Sequence, residues 1–293
     1  MNVPLCTLIL VSLLSFQASH AQAINLTDLQ ARVAKDDPEA ELELARAYHQ
    51  GGHGVIIDFA KAADLYRKAA AHGNAKAMYN LGFIYHHAQG VAQDDTAAEQ
   101  WFQKAADLHL PAAEFQMGFA YFTGTEGCQQ DYAQSIKWLT LAAQQSDKAG
   151  QPGRAASFLG DIYEEGLGTT KNNQQALFWY SLGAEGNDPK SQFHLGRIYL
   201  QGLIAKQDLV QAYKWLKLAA SKGEPLAAHL FAEEMAAKAF PPEVVTQGDE
   251  EVNEYQRSRH GSVIGQLPMV ADPMAMPMHN PTNAGSAKPP APR

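Results

Sequence analysis

From Pro38 to Gly223 the apolar residues recur at steps of three and four, which places them on one face of successive α-helices. The string Leu81-Gly82-Phe83-Ile84-Tyr85 returns as Met117 to Tyr121, Leu159 to Tyr163 and Leu195 to Tyr199, and a weaker copy runs from Leu44 to Tyr48. The five closing tyrosines lie 37, 36, 42 and 36 residues apart. A second stripe follows each string: Leu65-Tyr66, Trp101-Phe102, Trp138-Leu139, Trp179-Tyr180 and Trp215-Leu216, each preceded by Ala or Ser and followed by a small pair such as Ala105-Ala106. Small residues let two helices approach, and one large side chain fills the hole between them. The pattern predicts a helix A and a helix B in every period, with the first member of each large pair, the tryptophan, as the ring between them.

The joints carry their own signals. Glycine-rich turns lead from A to B, and Asp58, Asp94, Asp131, Asn172 and Asp208 stand where helix B needs a side chain to cap its first amides. Gly73, Gly186 and Gly223 are expected to close their B helices in the left-handed conformation. Asp37-Pro38 and Asp188-Pro189 open A helices, with proline in the first turn where its missing amide costs nothing. An insertion from Ser146 to Gly153 explains the one long period and is expected to form a loop or an extended helix end.

Such a period makes an all-α chain, a right-handed α/α solenoid with repeats at 38–74, 75–111, 112–153, 154–189 and 190–225. Capping helices are expected at both ends, Asp28 to Lys35 and 226–240, within a solenoid domain of 25–240. Before it, Leu5 to Phe16 is almost continuously apolar and too short to span a bilayer, and small residues follow; residues 1–21 read as a signal peptide, with 23 as the other cleavage point. A periplasmic or secreted location follows, with no membrane span in the mature protein. After Pro241-Pro242, residues 241–293 read as a disordered Pro- and Met-rich tail.

These residues resemble the Sel-one-like repeat, a relative of the tetratricopeptide repeat: Ala-x-x-x-Leu-Gly-x-x-Tyr, a glycine turn, Asp, then Ala-x-x-Trp-Tyr-x-x-Ala-Ala-x-x-Gly. Ala77 to Ala106 and Ser191 to Gly223 follow it nearly in full; Ala45 for glycine, Leu65 for tryptophan and the insertion depart from it. The resemblance implies a scaffold or adaptor for protein partners, often exported in bacteria. A cysteine-rich branch linked to penicillin binding carries a cysteine pair in each repeat, which this chain does not.

Composition narrows the chemistry. A net charge of -8, with Lys and Arg scattered, speaks against nucleic acid as partner. Cys128, the one cysteine after the signal, reads as an incidental loop thiol. No nucleophile elbow, zinc-binding His-Glu-x-x-His or phosphate loop occurs, so no catalytic residue and no cofactor is assigned. The reading is a non-enzymatic scaffold that binds a protein or peptide partner, in the envelope or outside the cell, on the concave face lined by helix A. By analogy with tetratricopeptide repeats, that face holds the residues two before the Leu, one after the Gly and one after the Tyr. Tyr79, Phe83, His86, Phe115, Phe119 and Phe122 form a central aromatic patch there. Arg46 and Arg197 flank it with Phe193, and Asp161 and Glu164 make the fourth repeat acidic. Two alternatives stand beside this one. One is an envelope hydrolase or a β-lactam- or peptidoglycan-interacting protein. The other is Cu(I) capture by Met274, Met276, Met278 and His279, because soft thioethers suit that ion.

Overall fold

The computed structural model describes residues 26–51, 54–125, 127–145 and 151–261. They form thirteen α-helices and no β-strand among the described residues. A first unit ends at Val252, and a second begins at Asn253. In the first unit a lone helix α1 (Leu26–Val33) precedes five A–B pairs. The A helices are α2 (Pro38–Gln50), α4 (Ala75–His86), α6 (Pro111–Thr123), α8 (Gln151–Glu165) and α10 (Pro189–Gln201). The B helices are α3 (Phe59–Ala71), α5 (Asp95–Asp107), α7 (Tyr132–Gln144), α9 (Asn173–Glu185) and α11 (Leu209–Ser221). Two more follow, α12 (Pro225–Ala236) and α13 (Pro242–Gly261), the latter running on into the second unit. In that second unit Ser258 donates to the Tyr255 carbonyl at 2.7 Å. From α1 to α12 each helix packs on its neighbours in the chain, and α8 also touches α6 and α10 directly. No B helix meets the next B helix to that extent, so the A helices form the inner, concave row of the solenoid.

The glycine of the Leu-Gly string explains the pairing within a repeat. A Cβ on Gly82 would lie 2.4 Å from the Phe102 ring, on Gly160 2.4 Å from the Tyr180 ring, and on Gly118 or Gly196 under 3 Å from Leu139 or Leu216. The knob between A and B is therefore the second member of each large pair, not the tryptophan as the pattern suggested. Tyr66, Phe102, Leu139, Tyr180 and Leu216 are all essentially inaccessible. The tryptophans serve the joints between repeats instead: Trp101 and Trp138 pack on the clusters around Tyr66 and Phe102, and Trp179 on the one around Leu139 and Leu159. Repeat one carries Ala45 where the others have glycine, and there Tyr66 is buried with its hydroxyl lacking a partner.

The five predicted caps of helix B all accept backbone amides. Gly73 and Gly223 take positive φ, but Gly186 does not: its φ is -67, and Asn187 at φ 74 turns the chain. Gly186 is needed for a different reason, because a Cβ there would meet the backbone of Gly153 at 3.1 Å. The end of the insertion is thus the first turn of α8, and its glycine lets α9 approach; residues 146–150 lie outside the described residues. Cys128 is no incidental thiol: it is buried against the cluster of Phe102, Met117 and Trp138.

The tail expectation fails for its first twenty residues. Pro242 starts α13 rather than ending order, since proline suits the first turn. Phe240, Val244 and Val245 cover Tyr213 and Leu216 of α11, and a Cβ on Gly248 would strike the Tyr213 ring at 2.3 Å. Asp249 accepts from Tyr213 Oη at 2.8 Å and pairs with Lys217 Nζ at 2.6 Å. Residues 1–25 and 262–293, with the signal and the rest of the tail, lie outside the described residues.

Candidate functional site

The inner face of the A helices is built from three rows. The row one after the glycine reads Arg46, Phe83, Phe119, Asp161, Arg197. The row one after the tyrosine reads His49, His86, Phe122, Glu164, Leu200. The third row, one before the leucine, was not foreseen: Glu43, Asn80, Gln116, Phe158, His194, all half-buried. The expected row two before the leucine is mostly covered. Leu42, Phe115 and Phe193 keep 9 % exposure or less, and Tyr79 is half-buried with its ring edge-on to Phe102 at 5.7 Å. One residue is a 100° step on a helix, and the open sector lies toward the residue before the leucine. Phe115 and Phe193 are therefore core residues and not part of a binding face.

Across this face, the residue before one leucine meets two residues of the preceding repeat. Phe158 of α8 packs edge-on to Phe119 at 5.5 Å and Phe122 at 5.1 Å, both on α6. Phe119 also stacks on Phe115, and Phe122 meets Tyr132 at 5.8 Å. Three half-buried aromatic rings thus make one strip at the joint of repeats three and four. Phe83 belongs to a second patch with Tyr79 and His87 on repeat two. His86 is committed elsewhere, its Nδ1 2.9 Å from Asp95 Oδ1 at the start of α5. Arg46 is exposed on repeat one.

One joint further on, the same geometry is polar. His194 of α10 stacks flat on the Tyr180 ring, 4.5 Å between centroids and 3° between planes. The Tyr180 hydroxyl donates to Asp161 at 2.9 Å and Glu164 at 2.8 Å. Lys190 neutralises Asp161, and Arg197 Nη2 sits 2.5 Å from Glu164 Oε1 and 3.2 Å from His194 Nδ1. The His194 ring 3.6 Å away, with hydrogen bonds from Tyr180 and Arg197, holds the Glu164 carboxyl at about 2, against the opposing effect of burial. Burial first, and then the two carboxylates, push the Tyr180 phenol far up, so it stays a donor. The fourth repeat is thus not an open acidic end, and Arg197 is not a free cation: the charges answer one another.

A further pairing recurs behind the face. The residue three before the leucine meets the C-cap of helix B of its own repeat. Glu114 accepts from Gln145 at 2.9 Å and lies 3.3 Å from His109, and Gln192 accepts from Lys222 at 2.8 Å. Glu41 has His72 at 3.8 Å, and neither of its fully buried oxygens has a hydrogen-bond partner. Repeat two has Met78 and Leu108 at these places, and repeat four Ala156 and Gly186. Among the described residues, no group of His, Cys, Asp and Glu is placed to hold a metal ion, and Met274, Met276, Met278 and His279 lie outside them.

Five Sel1 repeats match the chain, at residues 38–74, 75–110, 111–147, 153–188 and 189–224. The chain belongs to the Sel1 repeat family. The gap at 148–152 is the insertion before α8. Among solved structures, a Sel1 repeat protein from Oxalobacter formigenes aligns with 31 % identity and a TM-score of 0.65, covering 80 % of this chain and 92 % of that one. The protective antigen c5321 of uropathogenic Escherichia coli shares the fold at 22 % identity and a TM-score of 0.50, covering 85 % of this chain and 62 % of that one. Among curated relatives, this Sel1 repeat protein is 32 % identical to the chitin synthase regulator SKT5 of Saccharomyces cerevisiae over 56 % of its own length. It is 26 % identical to chitin synthase regulatory factor 3 of Schizosaccharomyces pombe over 50 %. The matched part spans less than a quarter of either relative, 23 % and 20 %. No described helix is long and apolar enough to cross a membrane.

Proposed function

We propose that this Sel1 repeat protein is an exported, non-enzymatic scaffold that binds a peptide or protein partner on the inner face of its A helices. The strip of Phe119, Phe122 and Phe158 is the contact, Phe83 extends it across repeat two, and Arg46 and the Arg197–Glu164 pair bound it. The observation that carries this reading is where the aromatic residues fall. The row after the glycine needs no apolar side chain to hold the fold, since repeats one, four and five carry Arg46, Asp161 and Arg197 there. Two neighbouring repeats nevertheless place Phe83 and Phe119 in it, and aromatic side chains on a rigid concave surface are the usual anchors of an interface.

The curated relatives support the same role at a distance. Two of them are named as a chitin synthase regulator, SKT5 of Saccharomyces cerevisiae, and as an ERAD-associated E3 ubiquitin-protein ligase component, HRD3A of Arabidopsis thaliana. Export rests on the apolar run from Leu5 to Phe16 and the small residues after it. Affinity capture from the cell envelope with the native chain and with Phe119→Ala/Phe122→Ala protein tests the contact. Wild-type protein retains a partner that the folded variant loses; retention of every partner by the variant would remove the strip from the reading. N-terminal sequencing of the captured protein tests export, with Gln22 or Ile24 expected first.

A further inference from the structure

Resting on that reading, we propose which partner segment the strip selects: an apolar side chain seated on Phe119, Phe122 and Phe158, with an acidic side chain within three residues of it held by Arg154. Along one edge of the inner face, three of five equivalent positions carry a cation. Five residues before the leucine stand Glu39, Lys76, Ala112 and Lys190, in the first turn of their A helices, and Arg154, just past the first turn of α8. The first turn is where the helix dipole and free amides favour negative charge. Helices α2 and α6 follow that rule with Glu39, Glu41 and Glu114, but α4, α8 and α10 break it. The whole chain carries -8, so these cations stand against both the local field and the overall charge. A local rule broken at adjacent repeats, beside half-buried aromatic rings that face the inner side, marks a surface kept for something other than stability.

Arg154 and Lys190 each lie over a ring of the preceding repeat. The Arg154 guanidinium is 4.6 Å from the Phe115 centroid, and Lys190 Nζ is 5.2 Å from that of Phe158. Both cations therefore border the strip. Lys190 is matched by Asp161, and Glu164 by Arg197, whereas Arg154 is exposed and pairs with no carboxylate among the described residues. The sign left over at this edge is positive. A basic residue of a partner would meet the unmatched Arg154, and an acidic one pairs with it. Phe115 and Phe122 are two helical turns apart, about 10 Å, which an extended peptide covers in about three residues. That spacing sets where the acid must fall relative to the apolar anchor.

Panning a phage-displayed random dodecapeptide library against the immobilised full chain tests this, with Arg154→Glu and Phe119→Ser proteins panned in parallel. Peptides enriched on the native chain should carry Asp or Glu within three positions of a large apolar residue. A synthetic consensus peptide, followed by fluorescence anisotropy, should bind Arg154→Glu protein roughly fivefold more weakly, the scale of one partly exposed ion pair. Changing its acid to Lys should reverse the order of the two proteins. Apolar anchors enriched without an acidic preference, or a preference unchanged by Arg154→Glu, would overturn this inference and leave the contact strip standing. Peptides that bind Phe119→Ser protein as well as the native chain would overturn the strip itself, and a library that yields no binder counts against both.

Discussion

Replacing Gly160 by alanine adds one methyl group at the tightest point of repeat four. Its Cβ would lie 2.4 Å from the Tyr180 ring, so the ring must retreat by about 1 Å to reach ordinary contact. That retreat has a cost beyond overpacking. The Tyr180 hydroxyl is held at 2.9 and 2.8 Å from two carboxylates, and both bonds stretch out of range if the ring leaves. Overpacking costs about 1–3 kcal/mol and a hydrogen bond to a charged group about 1.5–3 kcal/mol, offset by a helix-propensity gain near 1 kcal/mol. The expected net loss is about 1.5–5 kcal/mol. Urea unfolding followed by circular dichroism measures it, and a double-mutant cycle with Tyr180→Phe separates the two parts. Without the hydroxyl, Gly160→Ala should cost at least about 1 kcal/mol less. Two changes whose costs simply add would show that the glycine does not hold Tyr180 on its carboxylates.

Three further outcomes follow from the packing. Glu41→Met with His72→Leu places the Met78–Leu108 solution of repeat two into repeat one, and should raise stability by about 1–3 kcal/mol, because it removes a buried carboxylate whose oxygens lack partners; a lower melting temperature would mean that the carboxylate is stabilised after all. Glu164 titrates at about 2 when folded against an ordinary 4.5, so its contribution is present above pH 4.5 and is lost as pH falls toward 2. Glu164→Gln should therefore flatten the stability profile in that window, and an unchanged acid limb would count against the network. Trp179→Ala removes a buried ring from the joint of repeats three and four and should cost about 3–5 kcal/mol, read as a lowered denaturation midpoint.

The periodicity of the chain was enough to place every A and B helix and the caps of helix B, because a solenoid repeats the same local solution and each copy reinforces the others. What stayed hidden depended on rotation about a helix axis or on contacts outside the period. Tryptophan looked like the knob of each A–B pair because it is the larger residue, yet the void left by Gly82 or Gly160 faces the residue after it. The row of Phe158 and His194 was missed because the inner face is turned relative to the tetratricopeptide analogy, and the same turn sends Phe115 and Phe193 into the core. Two signals for α13 were present and went unused: Pro242 in a first turn, and Val244, Val245, Gly248 and Val252 at helical spacing. Buried Glu41 and Glu114 had no sequence signal, since a carboxylate in a first turn is ordinary there and its burial depends on the C-cap of the partner helix.

The claim that the inner A-helix face is where a partner docks can be tested in the cell. A photo-reactive p-benzoylphenylalanine is placed at Phe119 or Phe122, and for comparison at exposed Lys137 on helix α7. Irradiation should yield a discrete adduct from positions 119 and 122 and none from 137. Adducts from 137 with none from the inner positions would move the binding surface to the B helices and contradict the account.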